Sequence, residues 1–400
     1  MLSHVPLAVA GYDRLLFERC WEAEQGDVMN RRSAIALKAT VFLLVAGGLM
    51  RAAAAVAAPG PTTDCNVQPG SSESAPVAAA AVAFRNTLSS AQRAQLDQPL
   101  SRATAIRWSN LPVGMVPRIG VRIGDLDTRQ AAALRTLLTA ALSACGLKLY
   151  DEIRLADEAL APLDERHIGW GGGNYYVALL GTPSAQKPWM LQSGGHHLAY
   201  NFAFNGPKAG ATPLFFGTEP IRFEAAGITH EPLQAQSTAM AALAGALAAY
   251  PDAHLPGTYT DVVKGVVTEF PVGTTGVRGT DGGFPQTYPT GTTERGIRYS
   301  ALAPAAQARV RAALESYLSL PGEALTRTML AAYESPEALN QTYVGYAGAV
   351  DLSIRGSYVR IDGPRVWIEF IVQPAVARPA DIHYHALWRD KAADYGGEVQ

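Results

Sequence analysis

Cysteine is scarce in this chain: three in 400 residues, at Cys20, Cys65 and Cys145, with no C-x-x-C pair. That spacing excludes a thiolate metal site and a disulfide-built scaffold. Charge is sparse too, at 17% of residues and a net of −2. With no Lys/Arg cluster in the body of the chain, the composition argues against nucleic acid as a partner. There is no G-x-S-x-G elbow and no Walker loop, and His230-Glu231 runs into Pro232 without completing H-E-x-x-H. Serine hydrolases of the elbow type, P-loop enzymes and zincins are thereby set aside. Gly169-Trp170-Gly171-Gly172-Gly173 lacks the G-x-G-x-x-G spacing. It reads as a turn beside a site rather than a phosphate cradle.

What is present is ample apolar material. Hydrophobic residues make up 48% of the chain, enough for a sizeable core. The region from Met29 has a basic start, a short apolar run and a small-residue tail, with Ala55-Val56-Ala57 fitting an A-x-A cleavage site. The apolar run between Lys38 and Arg51 is short for a bilayer span. Arg31-Arg32 with the apolar residues after it resembles a twin-arginine export signal, which implies the twin-arginine export machinery as a partner and a folded cargo. Residues 1–28 read as an over-long start, 29–58 as the export signal and 59–76 as a disordered linker. The expected location is periplasmic or secreted, with membrane contact only through an uncleaved leader. In an oxidising compartment, pairing of Cys65 with Cys145 is an open possibility.

Beyond the linker, the spacing predicts a helix from Val77 to Leu100. A second, capped by Asp127, is expected to run to Ala144 and stop at Gly146. A short acidic helix follows over 151–160. Short strands are expected at 174–181, 189–192, 196–204 and 212–216, then an Ala-rich helix from Glu231 to Tyr250. Residues 271–293, crowded with Gly, Thr and Pro, read as a long surface loop. Helices at 304–318 and 322–332 precede strands near 341–347, 356–362, 365–373 and 382–388. Helices and strands come in blocks, which predicts α+β: a mostly antiparallel sheet with flanking helices, as a single large domain over 77–400.

Chemistry concentrates in the histidines. On a strand, His383 and His385 project from one face about 6–7 Å apart at Cα, so both rings can converge on one ion. Asp362-Gly363 marks a hairpin turn. Alternation after it puts Val366, Ile368, Phe370 and Val372 on a core face, and Arg365, Trp367, Glu369 and Ile371 on the other. Upstream, a regular strand over 196–204 would bury His196 with Leu198 and Tyr200 and turn His197 toward small and polar neighbours. The Gly194-Gly195 turn offers a way to bring both inward. Against this stands the plainer alternative, in which His-Tyr-His only decorates a sheet edge. The charged tail from Arg389 to Asp394 reads mainly as a solvated turn, with Arg389 retained as a clamp for an anionic group. Trp108, Trp170, Trp189 and Tyr175 are candidates for an apolar pocket or for core.

Several segments together resemble the bacterial and fungal family catalogued as domain of unknown function 3500. They are Trp108-x-x-Leu-Pro112, Gly181-x-Pro183-Ser184 with Pro188-Trp189, Gly195-His196-His197-Leu198 with Asn201, Thr212-Pro213 with Gly217-x-Glu219-Pro220, and HYHALWRDKAADYGG at the end. The resemblance spans most of 77–397. It supplies no reaction, but it implies that the Gly-His-His and His-x-His segments belong to one domain.

The expectation is an exported protein holding a divalent transition metal (Zn, Cu or Fe) on His197, His383 and His385. His196 is a fourth ligand or a partner of one. Glu369 is general base or ligand, and Arg389 orients an anionic group of a small-molecule substrate. Hydrolysis by metal-activated water is the first reading. Copper or iron oxidoreductase chemistry and a non-catalytic exported ligand-binding protein are the alternatives.

Overall fold

The computed structural model describes residues 73–262 and 288–397. The leader, Cys65 and residues 271–287 of the expected loop lie outside the described residues. Within them, ten α-helices flank a 12-stranded sheet. Eight strands form its body: β1 (Tyr176–Leu180), β2 (Trp189–Gly195), β3 (Leu198–Asn205), β4 (Leu214–Thr218), β5 (Tyr343–Ala347), β6 (Tyr358–Asp362), β7 (Val366–Pro374) and β8 (Ile382–Asp390). Their spatial order is β1-β2-β3-β4-β8-β7-β6-β5, all antiparallel. Short strands extend the edges, and the pairing of Asp97–Gln98 with β1 is the parallel exception. The α+β, mostly antiparallel expectation therefore holds.

The two faces of the sheet differ as the alternation requires. One face carries Leu198, Tyr200, Phe202, Phe216, Val366, Ile368, Phe370 and Trp388 against helices that include Thr128–Ala141, Ala144–Leu160, Gln234–Leu247 and Pro304–Leu318. Burying those large side chains supplies about 1.5–3 kcal/mol each. The opposite face has a thinner apolar layer of Ala199, Phe215, Ile371 and Leu387, packed with Trp108, Leu255, Val262 and Tyr395. Buried polar groups fill the remainder: His383, His385, Glu369, Arg360 and Arg389 are at most 4% exposed.

Local differences from the sequence reading have identifiable causes. The first expected helix is two, Ser74–Thr87 and Ser90–Leu96, because Ser89 forms a capping box with Gln92 and restarts the chain; the first begins inside the stretch read as linker. Asp127 caps as expected, but its helix ends at Ala141. Ser143 then caps Ala144–Leu160 through the Gly146 N–H. Gly146 is thus no stop. It allows close approach, since a Cβ there would sit 2.0 Å from the Leu320 carbonyl oxygen. Trp108, Trp189 and Tyr175 are core, while Trp170 packs near His196. The Arg389–Asp394 tail is not solvated: β8 continues to Asp390, and Arg389, Asp390 and Asp394 are at most 3% exposed.

Candidate metal centre

His196 and His197 do not lie on a strand. They are the two-residue loop joining β2 to β3, Gly195 being paired with Leu198. The alternation argument for His196 therefore fails, and both side chains are delivered by the turn. His197 has φ 59°, a left-handed conformation that a residue with a Cβ adopts at some cost. Its N–H donates to the Asn110 carbonyl (3.1 Å) and its own carbonyl accepts from the Gly217 N–H (2.8 Å). The loop is thus tied to β4 opposite His385, which is paired with Gly217. Gly217 must lack a side chain: a Cβ would lie 2.9 Å from Cδ2 of His385 and 3.1 Å from Cδ2 of His197.

His383 and His385 project from β8 onto the same face, as the two-residue spacing requires. Together with His197 they form a buried trio whose ligand atoms all lie within 4.8 Å of one another. Ring centroids are 5.4 Å (His197–His383), 5.1 Å (His197–His385) and 4.7 Å (His383–His385) apart. His383 Nδ1 is 2.7 Å from the Pro374 carbonyl oxygen, and His385 Nδ1 is 2.9 Å from a carboxylate oxygen of Asp261. Both partners accept only, so each Nδ1 carries the hydrogen, and the tautomer this sets leaves Nε2 as the ligating atom of each ring. Those two Nε2 atoms stand 3.2 Å apart. Two nitrogens bound to one tetrahedral ion at about 2.0–2.1 Å are separated by roughly 3.3 Å. The tethering of Nδ1 to a carboxylate or carbonyl is also the usual support of a ligating histidine.

Electrostatics agree. Burial, reinforced by the neighbouring imidazoles, holds His197 well below its ordinary value. Burial and then His385 lower His383 to about 3, against the opposing pull of the Pro374 carbonyl. Neutral imidazole is the ligating form.

His196 stands behind the trio. Its ring stacks on His197 at 3.8 Å between centroids, and its Nδ1 is 2.7 Å from an oxygen of buried Asp157. The other Asp157 oxygen accepts from the Gly171 N–H (3.2 Å), and the Tyr175 hydroxyl donates to the His196 carbonyl (2.5 Å). The glycine-rich segment is filled by the protein's own carboxylates: Asp164 accepts from Ile168, Gly169 and Trp170, and Glu158 from Gly172. No anion cradle is left there.

Glu369 and Arg389 share the sheet face but lie farther along it. Glu369 is opposite Leu387 rather than a histidine; its oxygens accept from the Tyr358 hydroxyl and from Trp367 Nε1 (2.7 Å). Arg389 donates Nε to Asp394 at 2.6 Å. The fold thus brings three of the four expected histidine ligands together, sets His196 against them, and gives Glu369 and Arg389 to a second polar cluster. Asp157 and Asp261 are additions. Asp157 had a readable signal, as a carboxylate on the buried stripe of Leu149, Ile153 and Leu160; Asp261 had none. A cavity of about 550 Å³ lined by Trp189, Phe204 and Lys208 includes none of these histidines.

The fold and site define an α+β protein with a buried three-histidine cluster able to bind a metal. The chain belongs to the family described as Protein of unknown function (DUF3500), whose model matches residues 71–397. No curated protein and no solved structure matches it.

Proposed function

We propose that this protein is an exported metal-dependent hydrolase acting on a small molecule. The observation that carries the metal is the buried trio of His197, His383 and His385, with the Nε2 atoms of His383 and His385 3.2 Å apart. With each Nδ1 turned to an acceptor, the two Nε2 atoms face each other at the separation of two ligands on one ion. Three neutral imidazoles suit Zn, Cu or Fe. When bound, such an ion activates water and polarises a substrate oxygen without a further cofactor.

Within the same reading, the chain's own residues divide the work. His197, His383 and His385 hold the ion; Asp261 and the Pro374 carbonyl fix two of the rings. His196, with Nδ1 on Asp157 and its ring stacked on His197, takes the role of general base expected of Glu369. Copper or iron redox chemistry is the runner-up, separated by which metal is found. Export rests on the leader signals at residues 29–58.

The test is elemental mass spectrometry on folded protein prepared without chelator, for wild type and the His383→Ala/His385→Ala double variant. About one equivalent of a transition metal, lost in the variant, is the expected result. Wild type that stays metal-free after exposure to Zn, Cu and Fe overturns the reading. Asp157→Asn is expected to keep the metal and lose turnover; loss of the metal instead would make Asp157 structural.

A further inference from the structure

Of the segment Gly217-Thr218-Glu219-Pro220 at the end of β4, Gly217 alone meets the histidine rings. Glu219 is 3% exposed, and no cation pairs with it among the described residues. Its carboxylate accepts instead from two consecutive main-chain groups, the Val376 N–H (2.9 Å) and the Ala377 N–H (2.6 Å). Hydrogen bonds to a carboxylate are about twice as strong as neutral ones. Both N–H groups sit at the root of the loop that leaves β7 at Pro374 and enters β8 at Ile382. The Pro374 carbonyl is the group that holds Nδ1 of His383 at 2.7 Å. Glu219 therefore grips the chain just beyond the carbonyl on which that ring depends.

Other bonds of the loop act elsewhere. The Ala375 N–H donates to the Asp381 carbonyl (3.1 Å) and the Asp381 N–H to the Arg378 carbonyl (2.8 Å), closing the loop on itself. Arg355 reaches the exposed Pro379 and Asp381 carbonyls on its far side. The Glu219 contact ties its first residues to β4, whose Gly217 and Thr218 pair with His385 and Tyr384.

We propose that Glu219 is a positioning residue for His383. By holding Val376 and Ala377 against β4, it keeps the Pro374 carbonyl aimed at Nδ1 and so keeps the hydrogen on that nitrogen. The bond made by one ring nitrogen decides the state of the other, and this tautomer is the one that leaves Nε2 to a metal. The purpose rests on the metal reading, whereas the effect on the ring does not. His385, held by Asp261 from a different part of the chain, is the internal control.

The test is long-range proton–nitrogen NMR correlation on the metal-free full chain with labelled histidine, which reads the tautomer of each ring. Loss of a signal in His383→Ala or His385→Ala assigns it. Wild type is expected to carry the hydrogen on Nδ1 in both rings. Glu219→Ala should move His383 toward a mixture of tautomers and leave His385 unchanged. Zinc affinity, measured by competition with a chelator, should fall about 10–100-fold with it. Glu219→Gln keeps one acceptor and nearly the same shape, so it guards against a variant that does not fold; it should give an intermediate shift. A merely structural role would lower the melting temperature and leave the His383 tautomer where it is, and that result in the folded variants overturns the proposal. So does a change in both rings together, or a zinc affinity that does not follow the ring. Wild type that takes no metal but shows the His383 shift would end the metal reading and keep Glu219 as the positioning residue. Wild type that takes metal, with His383 unmoved in both Glu219 variants, would do the reverse.

Discussion

His383 Nδ1 meets the Pro374 carbonyl and His385 Nδ1 meets Asp261, so two rings two residues apart are fixed by partners from different parts of the chain. The pair is oriented from behind, and each partner should therefore tune the centre without touching it. Asp261→Asn keeps the shape of the acceptor but removes its charge, and its amide can flip to offer a donor. Metal affinity is expected to fall about 10–100-fold while stoichiometry at saturation stays the same. Competition with a chelator measures it; unchanged affinity would mean that Asp261 is a bystander.

His197 serves a ligand role from an unfavourable backbone position, φ 59°. Glycine adopts that conformation freely, so His197→Gly removes the ligand and relieves strain of about 1 kcal/mol. The expected outcome is a variant of the metal-free protein that melts no lower than its parent and binds metal much more weakly. A large drop in melting temperature would show that the imidazole is there for packing.

Gly217→Ala tests the space between the two rings. The added methyl would meet Cδ2 of both His385 and His197 and the Tyr384 carbonyl oxygen at 2.7 Å. Overpacking of this kind costs about 1–3 kcal/mol, and the rings must move to relieve it. Both stability and metal affinity should fall together, with loss of metal seen even in the fraction that remains folded.

The histidines also set a pH dependence. In the folded protein His383 is lowered to about 3 and His197 is held well below its ordinary value, both chiefly by burial. An unfolded chain takes up those protons near 6.5, so it binds more protons than the folded one between that value and about 3. Stability of the metal-free protein should therefore decline as pH falls from 7 toward 4. Urea midpoints at pH 7, 6 and 5 are the measurement. His383→Leu should flatten the trend, and an equally steep slope in that variant would assign the effect elsewhere.

How far the sequence spoke depended on range. Period-two alternation was legible over β7 and β8, which is why the core face from Val366 to Val372 and the shared face of His383 and His385 came out as expected. For the upstream pair, Gly194-Gly195 has the composition of a turn and points to a strand starting at His196, whereas both glycines end β2 and the chain reverses at the histidines themselves. Gly195 is there for closeness: a Cβ would lie 2.9 Å from the Tyr175 ring. The charged end of β8 carries the local signature of a solvated turn, because charge is usually exposed. Its burial follows from pairing partners, Tyr333 and Arg365 for Asp390, that no local pattern announces. Asp261 enters from a loop, and a single acid in a loop is indistinguishable from any other.

The position of β4 has a kinetic consequence. His197 is carried by the β2–β3 loop and His385 by β8, and β4 lies between them, paired with both. The trio therefore exists only after residues near 217 have found residues near 385, one of the longer searches the chain must make, and such pairings form late. An ion that recognises all three rings has nothing to hold before that step. Metal should then leave the refolding rate nearly unchanged and slow unfolding, acting as a latch on a finished sheet rather than a seed for it.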